Sequence, residues 1–390
     1  MVGRQLALAA LVALASCGSE PQIVTTGATF PPSPAAPVHH GPGVLDAFDG
    51  KLFGAFASQP GNFVYSPASL AVALDTVRRG AAGPTAQELD AALGHADVSK
   101  LTGDLAPSVT MTDGLFVDFG AQVEPSFGAT AIDFHDHPDA SRIFINRWVA
   151  ERTRDRVRDL LGAGLVRRDT RMIVVSTIHL KAPWQTPFPR SSTAPADFHL
   201  ASGAIESVPT MHGRVTATHG AHAGARVLDI PYVPSRSGAA LALTILLPQR
   251  DLAGVEADYR REGIGPFADS ATHPGRIDVA LPRFSVRSSG PIDEALRAVG
   301  VRLAFTDQAD FSGISRAEPL KLSAVVQQVF AEVDESGTEA AAASTGGTVE
   351  ITSARIEEPL AFRVDRPFIF VIRDRATGLV LFTGRVTDPR

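Results

Sequence analysis

The chain has 390 residues, 44% of them hydrophobic, enough to bury a large core as one big domain or two ordinary ones. Its 36 basic and 42 acidic residues give a formal net charge of -6, which offers no global attraction for nucleic acid. The one cysteine, Cys17, excludes an intrachain disulfide, a thiol pair and a cysteine-based metal site, so stability must come from packing.

Residues 1–16 carry Arg4 near the start, an apolar run over 6–14 and Leu14-Ala15-Ser16 immediately before Cys17. This pattern resembles a bacterial lipoprotein signal, which implies cleavage before Cys17 and lipid attachment to its sulfur. The apolar run is too short to span a bilayer as a mature helix. An ordinary secretory signal with a coincidental cysteine is the alternative, and either one takes the chain out of the cytoplasm, lipid-anchored to the cell envelope or secreted. Residues 17–42, rich in Pro, Thr, Ala and Gly, predict a flexible spacer, and 43–390 the folded body.

In the body, apolar residues recur at helical spacing over 45–56, and Gly61-Asn62 ends that run. A short strand over 62–67 follows, then a helix through 70–79 that Ser66 or Ser69 can cap and Gly80 stops. Thr85 and Glu88 predict a capping box opening a third helix through 89–93. Residues 113–119 read as a strand and 143–161 as a strongly amphipathic helix. Residues 172–180 are almost wholly apolar, the mark of a central strand covered on both faces. Further strands are expected over 226–232, 239–247, 276–281 and 284–287, and a helix over 292–299. Residues 367–373 and 379–386 form a hairpin about Thr377-Gly378. The class is α+β in one large domain.

Between the apolar segment 320–333 and that hairpin lies Val333-Asp334-Glu335-Ser336-Gly337-Thr338-Glu339-Ala340-Ala341-Ala342-Ala343-Ser344-Thr345. Its side chains are small enough to slide between existing strands. In one register Thr338, Ala340, Ala342 and Ser344 face inward, all small, while the charged Glu339 faces solvent.

Several segments, in order from about residue 43 to the C-terminus, together resemble the serpin family, the serine protease inhibitors. They are Asn62-Phe63-Val64-Tyr65-Ser66-Pro67-Ala68-Ser69-Leu70, Gly80-Ala81-Ala82-Gly83 with Thr85, and Ile145-Asn146-Arg147-Trp148-Val149 with Thr153. To these add His179-Leu180-Lys181-Ala182-Pro183-Trp184 with Phe188, Asp229-Ile230-Pro231-Tyr232, Leu281-Pro282-Arg283-Phe284 and Ala309-Asp310-Phe311-Ser312-Gly313. The set closes with the small-residue segment, Asp365-Arg366-Pro367-Phe368 and Leu381-Phe382-Thr383-Gly384-Arg385-Val386.

The resemblance implies three β-sheets, eight or nine helices and an exposed reactive loop that a target serine or cysteine protease cleaves. The loop then inserts as an added strand in the central sheet, carrying the acylated protease with it. It implies a hinge at Glu335, Gly337, Thr338, Glu339, Ala340, Ala341, Ala342 and Ala343. Counted from Glu335, the reactive bond falls at Ile351-Thr352; counted back from the Pro367-Phe368 strand, it falls at Arg355-Ile356. Glu335 and Arg283 match a charge pair beside Trp184 where insertion begins. Ser66 and Ser69 match hydroxyls of the region that parts, where Ser176 and Gln327 replace the family's asparagine and histidine. Asn146 reads as a structural hydrogen-bonding residue.

The segment between Leu93 and Asp113 is much shorter than the family usually has, which leaves little room for the helix that binds heparin-like cofactors in some relatives, so none is expected. Arg152, Arg154, Arg156 and Arg158 read as dispersed around one helix, a solvated face. There is no Gly-x-Ser-x-Gly elbow, Walker loop or His-Glu-x-x-His, so the chain is not expected to be an enzyme. His212, His219 and His222, among Gly and Thr, suggest a flexible loop and no metal. The expectation is a monomeric protease inhibitor without cofactor; the alternative is a non-inhibitory serpin acting as a surface binding or carrier module.

Overall fold

Apolar residues three and four apart fold the start of the body into three helices, Asp46–Ala57, Pro67–Arg79 and Gly83–Leu93. The computed structural model describes residues 43, 45–94, 105, 108–235, 238–338 and 360–390. Ser66 caps the second helix, its hydroxyl accepting the Ser69 N–H at 3.1 Å, and Pro67 takes the first turn, where no N–H is needed. The expected capping box of the third helix does not form. That helix starts at Gly83 with Ala82 at its cap. Thr85 Oγ1 instead accepts the Asp310 N–H (2.9 Å), and the Glu88 carboxylate accepts the N–H groups of Arg302 (2.8 Å) and Leu303 (2.7 Å).

The strands, in chain order, are β1 (Phe63–Tyr65), β2 (Val109–Asp118), β3 (Thr130–Ile132), β4 (Met172–Leu180), β5 (Ala182–Pro183), β6 (Ala194–His199), β7 (Ile205–His222) and β8 (Ala225–Pro231). They continue as β9 (Leu241–Pro248), β10 (His273–Pro282), β11 (Phe284–Pro291), β12 (Leu322–Asp334), β13 (Gly337–Thr338), β14 (Ala361–Arg363), β15 (Phe368–Asp374) and β16 (Val380–Val386). Helices Pro138–Arg152, Leu252–Glu262, Gly265–Ser270 and Asp293–Ala298 bring the α-helices among the described residues to seven.

The strands hydrogen-bond as two networks. One is nine-stranded, β1-β16-β15-β9-β8-β7-β10-β14 with β6 beside β7; the other is seven-stranded, β3-β2-β4-β12-β13-β5 with β11 beside β12. Strand β7 is long enough to serve two sheet portions, pairing with β6 over 205–210, with β10 over 210–219 and with β8 over 218–222. The three sheets implied by the sequence therefore join as two.

The expected histidine loop is this strand. Met211, Val215 and Ala217 point into the core while His212 and Thr216 face solvent, so alternation survives beneath the Gly, His and Thr content. His222 Nε2 lies 2.7 Å from Glu262, and His219 stacks on His273. No group of three or more His, Cys, Asp or Glu among the described residues is placed to hold a metal.

The helix expected over 143–161 instead spans Pro138–Arg152. Arg154 and Asp155 take positive φ (53° and 61°), which ends the helix and turns the chain back. Val157, Leu160 and Leu161 still reach the same core as Ile145 and Val149, which is why the pattern read as one helix. Asn146 fastens the return, donating from Nδ2 to the Leu161 carbonyl (3.0 Å) and accepting the Leu161 N–H (2.8 Å).

A buried carboxyl joins the first helix to the nine-stranded sheet. Asp49 accepts hydrogen bonds from Tyr65 (2.6 Å), Tyr259 (2.5 Å) and Thr383 (3.0 Å), and burial pushes its pKa up to about 7. Close by on β16, Gly384 faces Phe370 and the backbone of β1. A Cβ there would lie 2.4 Å from the Phe370 ring and 2.7 Å from the Phe63 carbonyl oxygen. Gly384→Ala is expected to destabilise the fold by about 1–3 kcal/mol, the usual cost of overpacking, read as a lower urea midpoint; an unchanged midpoint would contradict this packing.

Candidate functional site

The seven-stranded sheet has a parallel seam at its centre, β4 against β12, in register from Ile173↔Ala324 to Ile178↔Val329. Strand β4 is buried along almost its whole length. Above the seam the chain reverses: Asp334 Oδ1 accepts the N–H groups of Ser336 (2.7 Å) and Gly337 (3.1 Å), and β13 folds back against β12. Its other edge pairs with β5, Gly337 opposite Pro183 and Thr338 opposite Ala182. Gly337 has φ 144°, and a Cβ there would lie 2.1 Å from the Ala182 carbonyl oxygen, so only glycine fits between these strands.

Glu335 sits in this turn with its side chain 3% exposed, against 46% for Arg283. Arg283 donates to Glu335 Oε1 from Nε (2.7 Å) and from Nη2, and the Thr193 hydroxyl donates to the same oxygen. Burial alone would raise the Glu335 pKa, but the bonds from Thr193 and Arg283 outweigh it and hold the carboxyl below its ordinary value. Thr193 joins this site without having been singled out from the sequence; it lies in a polar stretch ahead of β6, with no local pattern to mark it.

Trp184 locks the turn from the side. Its backbone N–H donates to the Ser336 carbonyl (2.9 Å) and its indole Nε1 to the Asp334 carbonyl (2.8 Å). The indole stacks on Tyr232 with ring centroids 4.5 Å apart, and the Tyr232 hydroxyl lies 2.6 Å from Thr338 Oγ1 in the buried core. Gly337 and Thr338, expected to belong to a hinge, are thus built into the sheet. Glu339, Ala340, Ala341, Ala342, Ala343, Ile351, Thr352, Arg355, Ile356 and Cys17 lie outside the described residues.

Lower on the core face, register aligns Asp113 on β2, Ser176 on β4 and Gln327 on β12 in one row across the seam. Gln327 grips the second helix: Nε2 donates to the Ser66 carbonyl (3.0 Å) and the Ser69 hydroxyl (2.9 Å), and Oε1 accepts the Ser66 N–H (3.2 Å). Ser176 makes no such bond. Its Oγ and Asp113 Oδ1 are both buried without a hydrogen-bond partner. Burial pushes the Asp113 carboxyl from 3.8 to about 7, and the neighbouring Ser176 hydroxyl, short of a hydrogen bond, offsets only part of that rise. Asp113 was missed as a site residue because its partner is set by cross-strand register. Its sequence signal is a lone acid at a core-parity position beside Leu115 and Val117.

The family model described as serpin (serine protease inhibitor) matches residues 44–389. The chain belongs to the serpin family. It is 32% identical over 354 residues to the protein Iris of Ixodes ricinus, an alignment covering 84% of this chain and 92% of that protein. It is 33% identical over 360 residues to the leukocyte elastase inhibitor of Bos taurus, covering 84% and 93%. Among solved structures, Serpin48 of Tenebrio molitor superposes with a TM-score of 0.77 at 27% identity, covering 89% of this chain and 97% of that one. Maspin shares the fold, with a TM-score of 0.78 at 24% identity over 89% of this chain and 98% of that one.

A carboxyl whose pKa rises on folding holds its proton more tightly in the native state. Its contribution to stability is complete below the unfolded value near 3.8 and is lost as pH climbs through about 7. The unfolding midpoint of this serpin is therefore expected to fall between pH 5 and pH 8, with Asp49 contributing in the same direction. Asp113→Asn should make the fall shallower; a slope identical to the parent protein would show that Asp113 does not titrate there.

Proposed function

We propose that this serpin inhibits a serine or cysteine protease as a suicide substrate, the reactive loop being cleaved and then inserting between β4 and β12. The observation that carries the reading is β13: Gly337 and Thr338 lie in the sheet at the upper end of the seam, where an inserting strand would begin. In sequence the next positions continue in small residues at the inward parity, Ala340, Ala342 and Ser344, so nothing bulky would meet the core. If about a dozen residues enter, each new main-chain bond contributing roughly 1 kcal/mol net, insertion releases on the order of 10 kcal/mol before apolar burial is added. That is sufficient to hold an acyl-enzyme distorted. The name of the Bos taurus relative, an elastase inhibitor, agrees with this reading.

Glu335 and Arg283 act in it as the latch at the entrance, and the row through Ser66, Ser69, Ser176 and Gln327 as the zone that parts. Replacement of the family's asparagine by Ser176, which makes no bond across the seam, lowers the resistance to opening there. The reactive bond is Ile351-Thr352, with Arg355-Ile356 as the alternative. The 43–390 body follows a 17–42 spacer, and Cys17 carries the lipid that anchors the exported protein, a monomer, to the cell envelope.

Thermal denaturation before and after loop cleavage tests the central claim. A sharp rise in midpoint after cleavage is expected, whereas a non-inhibitory module would show none. Thr338 is buried against Tyr232, and Thr338→Arg places a charge at the first inserted rung. The variant is expected to be cleaved as an ordinary substrate; detergent-stable covalent complexes at the parent yield would contradict the hinge assignment.

A further inference from the structure

On the face of the sheet opposite Gln327, a cavity of about 430 Å³ lies between the strands and the chain leaving helix Pro138–Arg152. Three separate stretches bring cations to it: Arg152 at the end of the helix with Arg154 and Arg156 just after it, Lys181 beyond β4, and Arg287 on β11. The arginines do not form the dispersed helical face expected from the sequence. The helix stops at Arg152, and the positive φ angles of Arg154 and Asp155 turn three of the four toward one opening. Arg158 stays outside, 3.8 Å from Asp155.

Among the described residues, no Asp or Glu lines the cavity. The nearest acids in sequence are engaged elsewhere, Glu151 with Arg147 and Asp155 with Arg158. On a chain of net charge -6, five cations around one opening are a local reversal of sign. Ring contacts support two of the guanidinium groups, Arg152 over Trp148 at 4.0 Å and Arg287 over Phe330 at 4.9 Å. His179 in the wall registers the field: burial, then Arg156 and Lys181, press its pKa down to about 4.

The floor crosses the seam. Thr112, Thr177 and Gln328 are register partners on β2, β4 and β12, and all three line the cavity. A ligand resting there touches both strands that must separate for a new one to enter. The size suits a small molecule, and guanidinium forks with threonine hydroxyls suit phosphate oxygens. Five cations around a cavity of about 430 Å³ outnumber the charges of a single phosphate group, so a chain of several is the matching ligand.

We propose that this cavity is a binding site for a compact oligophosphate, which bridges β4 and β12 and holds the sheet closed. The bridging part rests on the insertion reading given above; the binding part does not. Titration calorimetry of the intact full chain with sodium tripolyphosphate is expected to show saturable one-to-one binding. Arg154→Glu and Arg287→Glu, both at exposed positions, should each weaken it at least about ten-fold, since each replaces an attraction by a repulsion. The charge-matched Arg250→Glu, outside the cavity, should leave it within about two-fold. Binding should also raise the pH at which the His179 imidazole titrates, followed by NMR. Absence of saturable binding at millimolar tripolyphosphate overturns the site, as does equal weakening by Arg250→Glu, or binding of a sulfated polysaccharide but not tripolyphosphate. Loop-cleaved protein separates the two parts. If cleavage raises the thermal midpoint, the cleaved form should bind at least about ten-fold more weakly, because β4 and β12 are then apart; undiminished affinity overturns the bridging and leaves the site standing. If cleavage leaves the midpoint unchanged, insertion itself has failed, and the intact-chain titration still decides the site.

Discussion

The parallel ladder between β4 and β12 is the constraint around which the rest of the molecule is arranged. On its core face the Gln327 amide ties β12 to the cap of helix Pro67–Arg79, and Ser176 and Asp113 continue the same row without closing it. On its other face Thr177 and Gln328 floor a basic cavity. Above it the turn at Asp334 wedges two residues between β12 and β5. Each of these devices acts on the same two strands, so a change in one bears on how firmly the pair is held.

The ionic parts of this arrangement differ in weight. Exposed ion pairs are generally worth 0 to about 1 kcal/mol, and most arginine pairs on this surface fall in that class. Glu335 does not, because its carboxylate is buried under the turn while its partner remains half in water. Loss of Arg283 would leave a desolvated anion with only Thr193 and the field of the turn, so the asymmetry makes the guanidinium the cheaper half to hold and the costlier half to remove. Asp49 shows the opposite solution, a buried carboxyl surrounded by three hydroxyls and no cation, which keeps its proton to near neutral pH.

Much of this was legible in the chain itself. The near-continuous apolar run over Met172–Leu180 is a central strand for the reason that such runs are, burial on both faces. Gly337 and Thr338, small enough to fit between strands, lie between β12 and β5. What escaped was set by partners distant in sequence. Thr85 and Glu88 have the spacing of a cap but serve the backbone some 215 to 225 residues away. The long strand β7 hid behind Gly, His and Thr, since its parity shows only in Met211, Val215 and Ala217. The helix over 143–161 kept its apolar period past Arg152, and only the left-handed backbone of Arg154 and Asp155 breaks it.

The direction of β13 has a consequence of its own. It runs antiparallel to β12 and to β5 alike, so a strand grown from it downward would meet β4 and β12 both in antiparallel sense. One slanted parallel ladder would give way to two perpendicular antiparallel ones, the geometry that is slightly the more stable per residue. If such a strand enters, as proposed, the closed sheet is the less favourable of two pairings open to the same strands.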